Sequence, residues 1–546
     1  MTEIKQLLAS ELSKLLEVDV DAVDIERPDD EHGDFAYPVM KAAAQQEENP
    51  RQLAEKTAEE LDLDIVEKVE VAGPGYLNFH LDRQKYASRV EETLSGENMG
   101  VEQRDGSVLV EFSSPNVAKP MHIGHFRNNA LGDSLQRILD FTGYDVTSEN
   151  YLGDWGTQYG KLIYAFKQYG SREEFEENPM EHMFELYVKF HEEAENEDEM
   201  EEKGREWAAK IEEGDEEAVS LWEEFRDASI EYHKKDYERM DIEFDRWTGE
   251  SKVVDGAREL VENWIEEGKL DRDEDGSVFI EFDDLPGTVL LKADGSTLYI
   301  TRDLYNLEKR NREGFDYNLY VVGSEQELHF QQVFAAAEKL GLDPEGSEHV
   351  SYGLLSLPEG SMSSRRGRII RLEHALDEAV EKAEERIEDR DIENAEAIGI
   401  GAVKYANLSV SRKKDIEFDW DTALSFEGDS GPYLQYSNTR AKSILEKSDE
   451  EGELAGTPGD VEYRLLKKLS EFPTSVDSAA EQREPAKIAN YLSHLCEEFN
   501  SFYHSSPVLD AETEEEKLRR LKLVELFVEV TDKGLELLGL EPLEKM

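Results

Sequence analysis

The pattern of hydrophobic and polar positions divides the chain into three blocks. Residues 1–100 begin with apolar residues at helical spacing and later contain VAGPGYLNFHL (71–81), which reads as a turn followed by a strand. A Gly-rich polar stretch at 95–106 predicts a linker. This block is therefore predicted to be a small domain with both helix and strand. The apolar positions of its first helix are Ile4, Leu7, Leu8, Leu12, Leu15 and Leu16.

The second block, residues 106–371, alternates between strand-like and helix-like patterns. Such alternation predicts a parallel, doubly wound sheet of Rossmann-like type. Residues from about 171 to 250 are acidic and helix-forming, and they predict a helical insertion within the sheet domain. The predicted strands are residues 107–115, 144–150, 297–301, 317–323 and 349–357, and a helix is predicted at 328–341.

The third block, residues 372–546, has an almost entirely helical pattern. The expected fold is therefore α/β in the centre of the chain, with a small α+β domain before it and an all-α bundle after it. The length of 546 residues fits three or four domains of about 150 residues each.

Acidic residues dominate the composition. Asp and Glu number 127 against 61 Lys and Arg, so the net charge is −66. Charge this evenly spread resembles that of proteins from halophiles, in which it preserves solubility. Molar salt shortens the Debye length to about 3 Å and screens the self-repulsion. The 22 Tyr, 22 Phe and 6 Trp nevertheless indicate a folded protein rather than a disordered one.

The single cysteine, Cys496, excludes an internal disulfide and any zinc site built from several cysteines. This usage fits a reducing cytoplasm, which is the expected location. The amphipathic, acidic N-terminus lacks the apolar segment of a signal peptide. The sequence contains no stretch of 18 apolar residues and therefore predicts no membrane span, so no membrane partner is expected.

The strongest local pattern is EFSSPNVAKPMHIGHFRNNALGDSLQRIL (111–139), in which a strand, a loop with two prolines and a helix follow one another. A helix N-terminus presents free N–H groups and a positive dipole to phosphate. His122 and His125 lie three positions apart and can donate to phosphate oxygens, while Gly124 lets a flat ring approach the backbone. Taken alone, however, a His-x-x-His pair more often marks a structural pair or part of a metal site.

In this context His-Ile-Gly-His resembles the first signature of class I aminoacyl-tRNA synthetases, and the longer run resembles the arginyl-tRNA synthetases in particular. HGDFAYP and GPGYLNFHL, near the N-terminus, resemble the additional N-terminal domain of that family. A chance match of this ordered set is very improbable. Further matches follow in the expected order: NYLGDWGTQYGKL (150–162), LYITRDL (298–304), GSEQELHF (323–330), SMSSRRG (361–367) and GPYLQYSNTRA (431–441).

The resemblance implies two reactions. The carboxylate of L-arginine attacks the α-phosphorus of ATP, pyrophosphate leaves, and the 2′-OH of the terminal adenosine of tRNA-Arg then takes the arginyl group. Charge moves onto phosphate oxygens in the first step, so positioned donors and Mg²⁺ are expected to supply most of the catalysis. His122 and His125 are the expected donors, with Ile123 and Gly124 completing the ATP site.

The second signature departs from the family pattern, which normally reads Lys-Met-Ser-Lys. Met362 and Ser363 are present, but both lysines are missing. The resemblance implies that Lys119, shortly before the first signature, replaces them; the alternative is a solvated surface lysine. Arg365 and Arg366 either assist at the phosphates of ATP or contact the tRNA backbone.

Recognition of arginine requires a carboxylate that meets the guanidinium. Alternation along TLYITRD would place Tyr299, Thr301 and Asp303 on one face of a strand. From the residues alone, Asp303 is better interpreted as the N-cap of the following helix. The resemblance reverses that preference, because Tyr and Asp at this spacing match the arginine pocket of the family.

Four further residues are candidates for arginine binding. Gln326 matches a pocket residue of the family, and Ser113 and Asn116 match groups that hold the α-amino and carboxylate ends of the substrate. Glu111 lies in an apolar strand, where an unpaired carboxylate would be costly. Its expected partner is an ammonium or guanidinium group.

Contacts with tRNA are expected in both outer domains. The resemblance places Tyr76 and Asn78 at the corner of the tRNA D-loop, where an aromatic ring stacks on a base and an amide reads its edge. The alternative is that Tyr76 only packs in a small sheet. In the C-terminal helical domain, which resembles an anticodon-binding bundle, Tyr436 and Arg440 are candidates, with a structural role as an equal alternative.

A chain of this charge must still bind a polyanion. Salt weakens phosphate contacts steeply, so recognition is expected to depend more on stacking and on base edges. Two basic clusters, residues 365–371 and 412–414, are expected to face tRNA or pyrophosphate. The family is usually monomeric, so a monomer is expected.

Other functions are less compatible with the sequence. A cysteinyl enzyme uses a zinc site that one cysteine cannot build, and a glutamyl enzyme needs a basic pocket rather than Asp303. A non-catalytic paralogue that binds tRNA or protein is supported only by the unusual second signature. An acidic interaction scaffold is remote because the motifs occur as an ordered set.

Overall fold

The computed structural model describes residues 2–28, 32–194, 198–356, 371–387 and 394–545. The first part of the chain forms α1 (Thr2–Leu16), β1 (Phe35–Pro38), α2 (Met40–Gln46), α3 (Pro50–Glu60), β2 (Val66–Ala72), β3 (Tyr76–Leu81) and α4 (Arg83–Leu94). The strands make an antiparallel sheet of order β1-β3-β2. Alternate residues of β3, Leu77, Phe79 and Leu81, are buried in one core with Leu8 and Leu12 of α1.

In the described part of the chain, a parallel sheet of five strands occupies the middle of the sequence. A two-stranded antiparallel sheet lies within the same part of the sequence. The elements of this part are β4 (Ser107–Glu111), α5 (Ile123–Phe141), β5 (Asp145–Leu152), α6 (Thr157–Tyr169), α7 (Arg172–Glu177), α8 (Pro179–Ala194), α9 (Asp198–Glu212), α10 (Glu216–Arg239), β6 (Arg246–Gly249), α11 (Val254–Glu266), β7 (Val278–Ile280), β8 (Thr288–Leu291), α12 (Tyr299–Glu313), β9 (Tyr317–Gly323), α13 (Glu327–Leu340), β10 (Ser347–Tyr352) and β11 (Leu355–Ser356).

The position of β4 explains where a ligand can bind. Val108, Leu109 and Val110 are fully buried, as expected for a parallel strand covered by helices on both faces. From β4, the sheet continues through β5 to β6 in one direction and through β9 to β10 in the other. β4 therefore ends at the topological switch point, beyond which open α/β sheets bind their ligands.

Five helices, α6 to α10, separate β5 from β6 and form the insertion. Their apolar faces make a separate core that includes Phe166, Phe175, Met183, Phe190 and Phe225. This core packs aromatic rings edge to face, with Phe166 and Phe225 5.3 Å apart between ring centres. The insertion is thus a folded helical unit whose charges lie mainly on its outer faces.

The last part of the chain is helical and packs on α5. It contains α14 (Leu372–Ile387), α15 (Ala395–Leu408), β12 (Ile416–Glu417), α16 (Trp420–Ala423), α17 (Gly431–Leu445), α18 (Asp460–Leu469), α19 (Phe472–Gln482), α20 (Ala486–Ser505) and α21 (Glu514–Leu537). The Ser134 hydroxyl donates to the Leu537 carbonyl at 2.8 Å, and the buried Lys404 ammonium donates to the Gly539 carbonyl at 2.7 Å. Among the helices of the described ranges, none is long and apolar enough to cross a membrane.

The predicted fold class is confirmed, but three segments differ from their predictions. Residues 297–301 do not form a strand, because α12 begins at Tyr299 and buries Ile300, Leu304 and Leu307 along one helical face. The alternative that Asp303 is a helix N-cap is also wrong, since Leu298 occupies that position.

The other two differences concern strand boundaries. The end of the predicted insertion contains β6, which pairs with β5 at the edge of the parallel sheet. The predicted strand 349–357 is divided between β10 and β11. The division falls beside Gly353, where a Cβ atom would lie 2.7 Å from the Lys414 carbonyl group.

Candidate active site

The first signature lies where the loop after β4 meets α5. His122 is the N-cap of this helix, and its Nδ1 accepts a hydrogen bond from the Gly124 N–H at 3.1 Å. The Nδ1 of His125 accepts from the His122 N–H, also at 3.1 Å, and the two rings lie 4.1 Å apart between centres. This is the reciprocal arrangement of a capping box, built here with two imidazoles.

These hydrogen bonds determine which ring nitrogen carries the proton. Because each Nδ1 accepts from a backbone N–H, each neutral ring carries its hydrogen on Nε2. Burial lowers the pKa of His125 to about 3, helped by the charges of His122 and His233, and burial also lowers the pKa of His122. Both residues are therefore neutral N–H donors at physiological pH, at the positive end of a helix.

The loop leading to the histidines follows a strained path. Ser113, Ser114 and Ala118 have φ angles of 70°, 46° and 61°, which are costly for residues other than glycine. Side chains from two helices hold this path: the Ser113 N–H donates to the Asn128 side-chain oxygen, and the Ala118 N–H donates to the Ser229 hydroxyl at 2.9 Å. Ser229 belongs to the insertion, which thereby supports the signature loop.

Two of the expected substrate-binding residues lie in this loop. Asn116 is exposed, and its backbone pairs with Gly153 beyond the end of β5. A Cβ at Gly153 would lie only 2.5 Å from the Asn116 side-chain oxygen, so glycine makes room for this amide. Ser113 is buried, and its hydroxyl hydrogen-bonds to the Tyr237 hydroxyl at 2.6 Å.

Gly124 has a further role that was not predicted. A Cβ atom at this position would lie 2.9 Å from Nδ1 and Cε1 of the His122 ring. Any larger residue would therefore displace the imidazole that caps the helix. Glycine is needed here for the histidine pair itself, in addition to any approach of a flat ring.

Tyr299 and Asp303 share a face of the helix α12, and not a face of a strand as predicted. They are four residues apart, so the helix brings their side chains together, whereas Thr301 turns inward and donates to the Leu290 carbonyl. Tyr299 is 65% exposed. The carboxylate of Asp303 is 2.6 Å from Nε2 of His329 on α13.

Several polar groups that sequence reasoning missed lie around Asp303. The Tyr151 hydroxyl is buried and has no hydrogen-bond partner among the described residues. Burial raises its pKa well above the usual range, and the charges of Asp303, Glu250 and Glu111 add to the shift. Burial likewise raises the pKa of Glu250 to about 7, although its partner Arg302, at 2.7 Å, opposes the change. Asp303 therefore lies among further acidic side chains and near a buried hydroxyl that has no partner in the described part of the chain.

Glu111 is paired within the protein. The buried guanidinium of Arg310 binds both Glu111 and Glu149, which lie opposite each other on the neighbouring strands β4 and β5. Burial raises the pKa of Glu111 to about 7, while Arg310 lowers it and Glu149 raises it. The expected guanidinium partner of Glu111 is thus supplied by α12, and it ties two strands to that helix.

The remaining candidates belong to the predicted arginine and ATP sites. Gln326 is exposed at the end of a short 3-10 helix, Ser324–Gln326, directly after β9. The Lys119 ammonium lies over the Tyr187 ring of α8, 4.4 Å from its centre. The predicted ATP-binding residues Met362, Ser363, Arg365 and Arg366 lie outside the described residues.

The candidates for tRNA contact lie in the two outer parts of the chain. Tyr76 is half-buried, whereas Asn78 is 6% exposed in the central strand of the N-terminal sheet. Arg440 lies over the Tyr436 ring at 4.6 Å and over the Tyr503 ring at 5.2 Å. This half-exposed aromatic group with a guanidinium is chemically suited to stacking with a nucleic-acid base.

The two predicted basic clusters are described only in part: residues 365–370 lie outside the described residues, whereas Lys413 and Lys414 are exposed. Arg412 of the cluster at 412–414 does not face solvent: it is buried and donates to the carbonyls of Ser351 and Arg483. Arg371, the end of the other cluster, pairs with Glu181 of the insertion. Both guanidiniums hold elements together, because a planar group with several donors can satisfy more than one buried acceptor.

The insertion supplies several groups that the sequence did not indicate. Tyr237, Ser229 and His233 lie on α10, close to the signature loop and to His125. Both ring nitrogens of the buried His233 lack a hydrogen-bond partner within the described part of the chain, and burial lowers its pKa to about 4. These residues were missed because they lie on an acidic helix about a hundred residues from the signature.

Comparison with known proteins identifies the class. A model of the class I (R) tRNA synthetase catalytic domain matches residues 89–420, a DALR anticodon-binding domain matches 434–546, and an arginyl tRNA synthetase N-terminal domain matches 2–81. With the switch-point site and the capped histidine pair, these matches define a class I aminoacyl-tRNA synthetase.

Individual relatives identify the family. The chain is 38% identical to an arginine–tRNA ligase of Clostridium perfringens over 568 residues, covering 100% of both chains, and 40% identical to one of Exiguobacterium, covering 98% of this chain and 99% of the relative. The Thermus thermophilus arginyl-tRNA synthetase structure has a TM-score of 0.82 at 26% identity and covers 99% of this chain and 100% of its own. The chain belongs to the arginyl-tRNA synthetase family.

Proposed function

We propose that the site around His122, His125 and Asp303 activates L-arginine with ATP and then passes arginine to tRNA. Arginine–tRNA ligation, with ATP, arginine and tRNA as substrates, is the activity of the family to which the chain belongs. The observation that carries the assignment of residues is the imidazole pair, held in one tautomer at the N-terminus of α5. Membership of this family does not favour a non-catalytic paralogue or another class of synthetase.

In the first reaction the arginine carboxylate attacks the α-phosphorus, and pyrophosphate leaves. Negative charge moves onto the phosphate oxygens, and Nε2–H groups of His122 and His125 donate to them without having to change protonation state. Mg²⁺ enters with ATP as part of the substrate. In the second reaction the 2′-OH of the terminal adenosine takes the arginyl group and AMP leaves.

Lys119 supplies the positive charge that the second signature lacks. It lies in the same loop as the histidines, three residues before His122. In the part of the chain that the structure describes, no carboxylate lies within ion-pair distance of it. Met362, Ser363, Arg365 and Arg366 are retained as proposed ATP-binding residues on the basis of resemblance alone.

The arginine side chain binds in the acidic pocket beside α12. Asp303 receives the guanidinium, Tyr299 covers it, and Asn116 and Ser113 hold the α-amino and carboxylate ends, with Gln326 at the rim. The support for this assignment is the concentration of carboxylates around the unpaired Tyr151 hydroxyl. Glu111 acts through Arg310, since its carboxylate is already engaged.

The outer parts of the chain bind tRNA. Tyr76 is proposed to stack on a base, and Asn78 would need to become accessible before it could read one. Tyr436 and Arg440 are proposed to contact the anticodon, in agreement with the match of residues 434–546 to an anticodon-binding domain. We further propose a monomer that works in the cytoplasm, with units at 1–100, 106–371 and 372–546.

The histidine pair can be tested by His125→Ala. Loss of one transition-state donor is expected to lower the rate of arginine-dependent ATP–pyrophosphate exchange roughly 100- to 1000-fold. The matched control is His494→Ala, at an exposed histidine of α20, which should leave the rate unchanged. A folded His125→Ala protein with the wild-type rate would refute the assigned role.

A further inference from the structure

One face of α8 in the insertion contacts two cations beside the first signature. Glu181, Phe184 and Tyr187 are spaced three residues apart and therefore share a side of the helix. The adjoining side carries Met183, Leu186 and Phe190, which are buried in the core of the insertion. Glu181, Phe184 and Tyr187 are only partly buried, and they contact Arg371 and Lys119.

Tyr187 contacts Lys119 with the face of its aromatic ring. The ammonium lies 4.4 Å from the ring centre, and the described residues place no carboxylate within ion-pair distance of it. An aromatic face attracts a cation without cancelling its charge, and it leaves most of the ammonium N–H groups available. A carboxylate in the same place would orient the lysine equally well but would neutralise it. His191, one turn further along α8, is also affected: the charge of Lys119 contributes to lowering its pKa, after burial and Lys161.

The second cation, Arg371, is held by two elements at once. Its guanidinium makes a bidentate ion pair with Glu181, at 2.5 and 3.1 Å, and lies 5.1 Å from the centre of the Phe184 ring. Its backbone pairs with His122, and the next N–H, of Leu372, donates to the Met121 carbonyl at 2.9 Å. The backbone at Met121 and His122 is therefore tied to α8 through Arg371.

We propose that α8 is a positioning element for the triphosphate end of the active site. Tyr187 orients Lys119 towards ATP while leaving its charge intact, and Glu181, through Arg371, fixes the backbone beside His122. The inference rests on the proposed function of Lys119 and His122. Tyr187 and Glu181 touch no substrate, so they are positioning residues.

Tyr187 can be tested with three variants of the full chain in ATP–pyrophosphate exchange. Tyr187→Phe keeps the ring and should leave the KM for ATP unchanged. Tyr187→Leu should raise it about 3- to 10-fold, and Tyr187→Glu should raise it further because it neutralises Lys119. The KM for arginine should not change in any of them. The matched control is Tyr169→Leu. It removes a similar contact in the same insertion, in which the Lys189 ammonium lies 4.1 Å from the centre of the Tyr169 ring.

A double-mutant cycle distinguishes positioning from a general structural effect. If Tyr187 acts through Lys119, Tyr187→Leu should have no further effect on the KM for ATP in a Lys119→Met background. Additive effects of the two substitutions, or a loss with Tyr187→Phe equal to that with Tyr187→Leu, would overturn the proposal. A wild-type chain that fails to exchange with arginine in the presence of tRNA would instead contradict the proposed function itself.

The Glu181 contact is tested by charge reversal. Glu181→Arg should lower kcat for exchange at least tenfold, and Arg371→Glu in the same chain should restore most of it, because the pair is re-formed in the opposite sense. Glu224→Gln breaks an ion pair of similar length with Arg172, 2.8 Å, within the insertion and should have no effect. Failure of the double variant to recover activity while it is folded would contradict the role of the pair.

Discussion

The two histidines of the first signature perform a structural and a chemical task with different atoms. Each Nδ1 accepts a backbone N–H, as the side chains of an ordinary capping box do, and each Nε2–H is left to meet the substrate. Replacement by alanine therefore removes a donor and also alters the cap. This double use explains why the rings are neutral: burial against the helix end lowers the pKa of His125 to about 3.

Asp303 is the residue on which recognition of arginine depends most. Asp303→Asn removes the charge that meets the guanidinium and should raise the KM for arginine on the order of 100-fold, with little change in the KM for ATP. Steady-state exchange with each substrate varied in turn measures both constants. Glu308→Gln, on the same helix, is the control. An unchanged KM for arginine would show that another carboxylate of the pocket fills this role.

The candidate site could be predicted from the sequence only in part. His122, His125, Tyr299 and Asp303 lie within short motifs, so the resemblance pointed to them directly. Tyr151 and the α10 residues that support the loop carry no local motif, because what brings them to the site is the topology of the sheet and the insertion. Such groups are recognised by their burial and by a missing hydrogen-bond partner, as for the Tyr151 hydroxyl, and both properties are known only from the three-dimensional structure.

At the scale of elements, a buried ion triad joins β4, β5 and α12. Arg310 is enclosed by Glu111, Glu149 and the Tyr320 ring, 5.0 Å from its centre. Since the Tyr299–Asp303 face belongs to the same helix, the triad also fixes the arginine pocket against the strand that leads to the histidines. A surface ion pair could not provide this rigidity, because its side chains remain solvated and mobile.

Removal of Arg310 should therefore be severe. Arg310→Met leaves the buried Glu111 without a cation and Glu149 with only the more distant Arg246, at 3.7 Å, and is expected to destabilise this part of the fold by about 3–5 kcal/mol. Thermal unfolding in molar KCl should show a clearly lower midpoint. Arg312→Met, on the exposed side of the same helix, should cost less than about 1 kcal/mol. Equal midpoints for the two variants would contradict a stabilising role for the triad.

The order of the helices and strands could be predicted where the hydrophobic positions of the sequence follow a single period. β4 and β9 are apolar runs, and α13 has helical spacing, so all three appear close to their predicted positions. At 297–301 the β-branched and aromatic residues favour a strand by local propensity. A helix, however, buries Ile300, Leu304 and Leu307 together on one face. The packing of these residues therefore overrides the local propensity. β6 was missed because its four residues follow a long acidic helix.

At the scale of the whole molecule, a strongly acidic protein binds both a basic amino acid and a polyanionic tRNA. The net charge of −66 is expected to repel tRNA at low salt, and screening in molar KCl shortens the range of that repulsion. The half-exposed group of Tyr436, Arg440 and Tyr503 offers stacking, which depends less on salt than phosphate contacts do. A requirement for high salt therefore stays a prediction of the composition.

The most direct test of the account is ATP–pyrophosphate exchange with Mg²⁺ in molar KCl, with each amino acid supplied separately and with or without total tRNA. We predict exchange with arginine and with no other amino acid, and the family resemblance leads us to expect it only when tRNA is present. This result would also show that activation proceeds without the two lysines of the second signature. Exchange with a different amino acid, or none from folded protein with tRNA present, would contradict the assignment of the pocket and of the histidine pair.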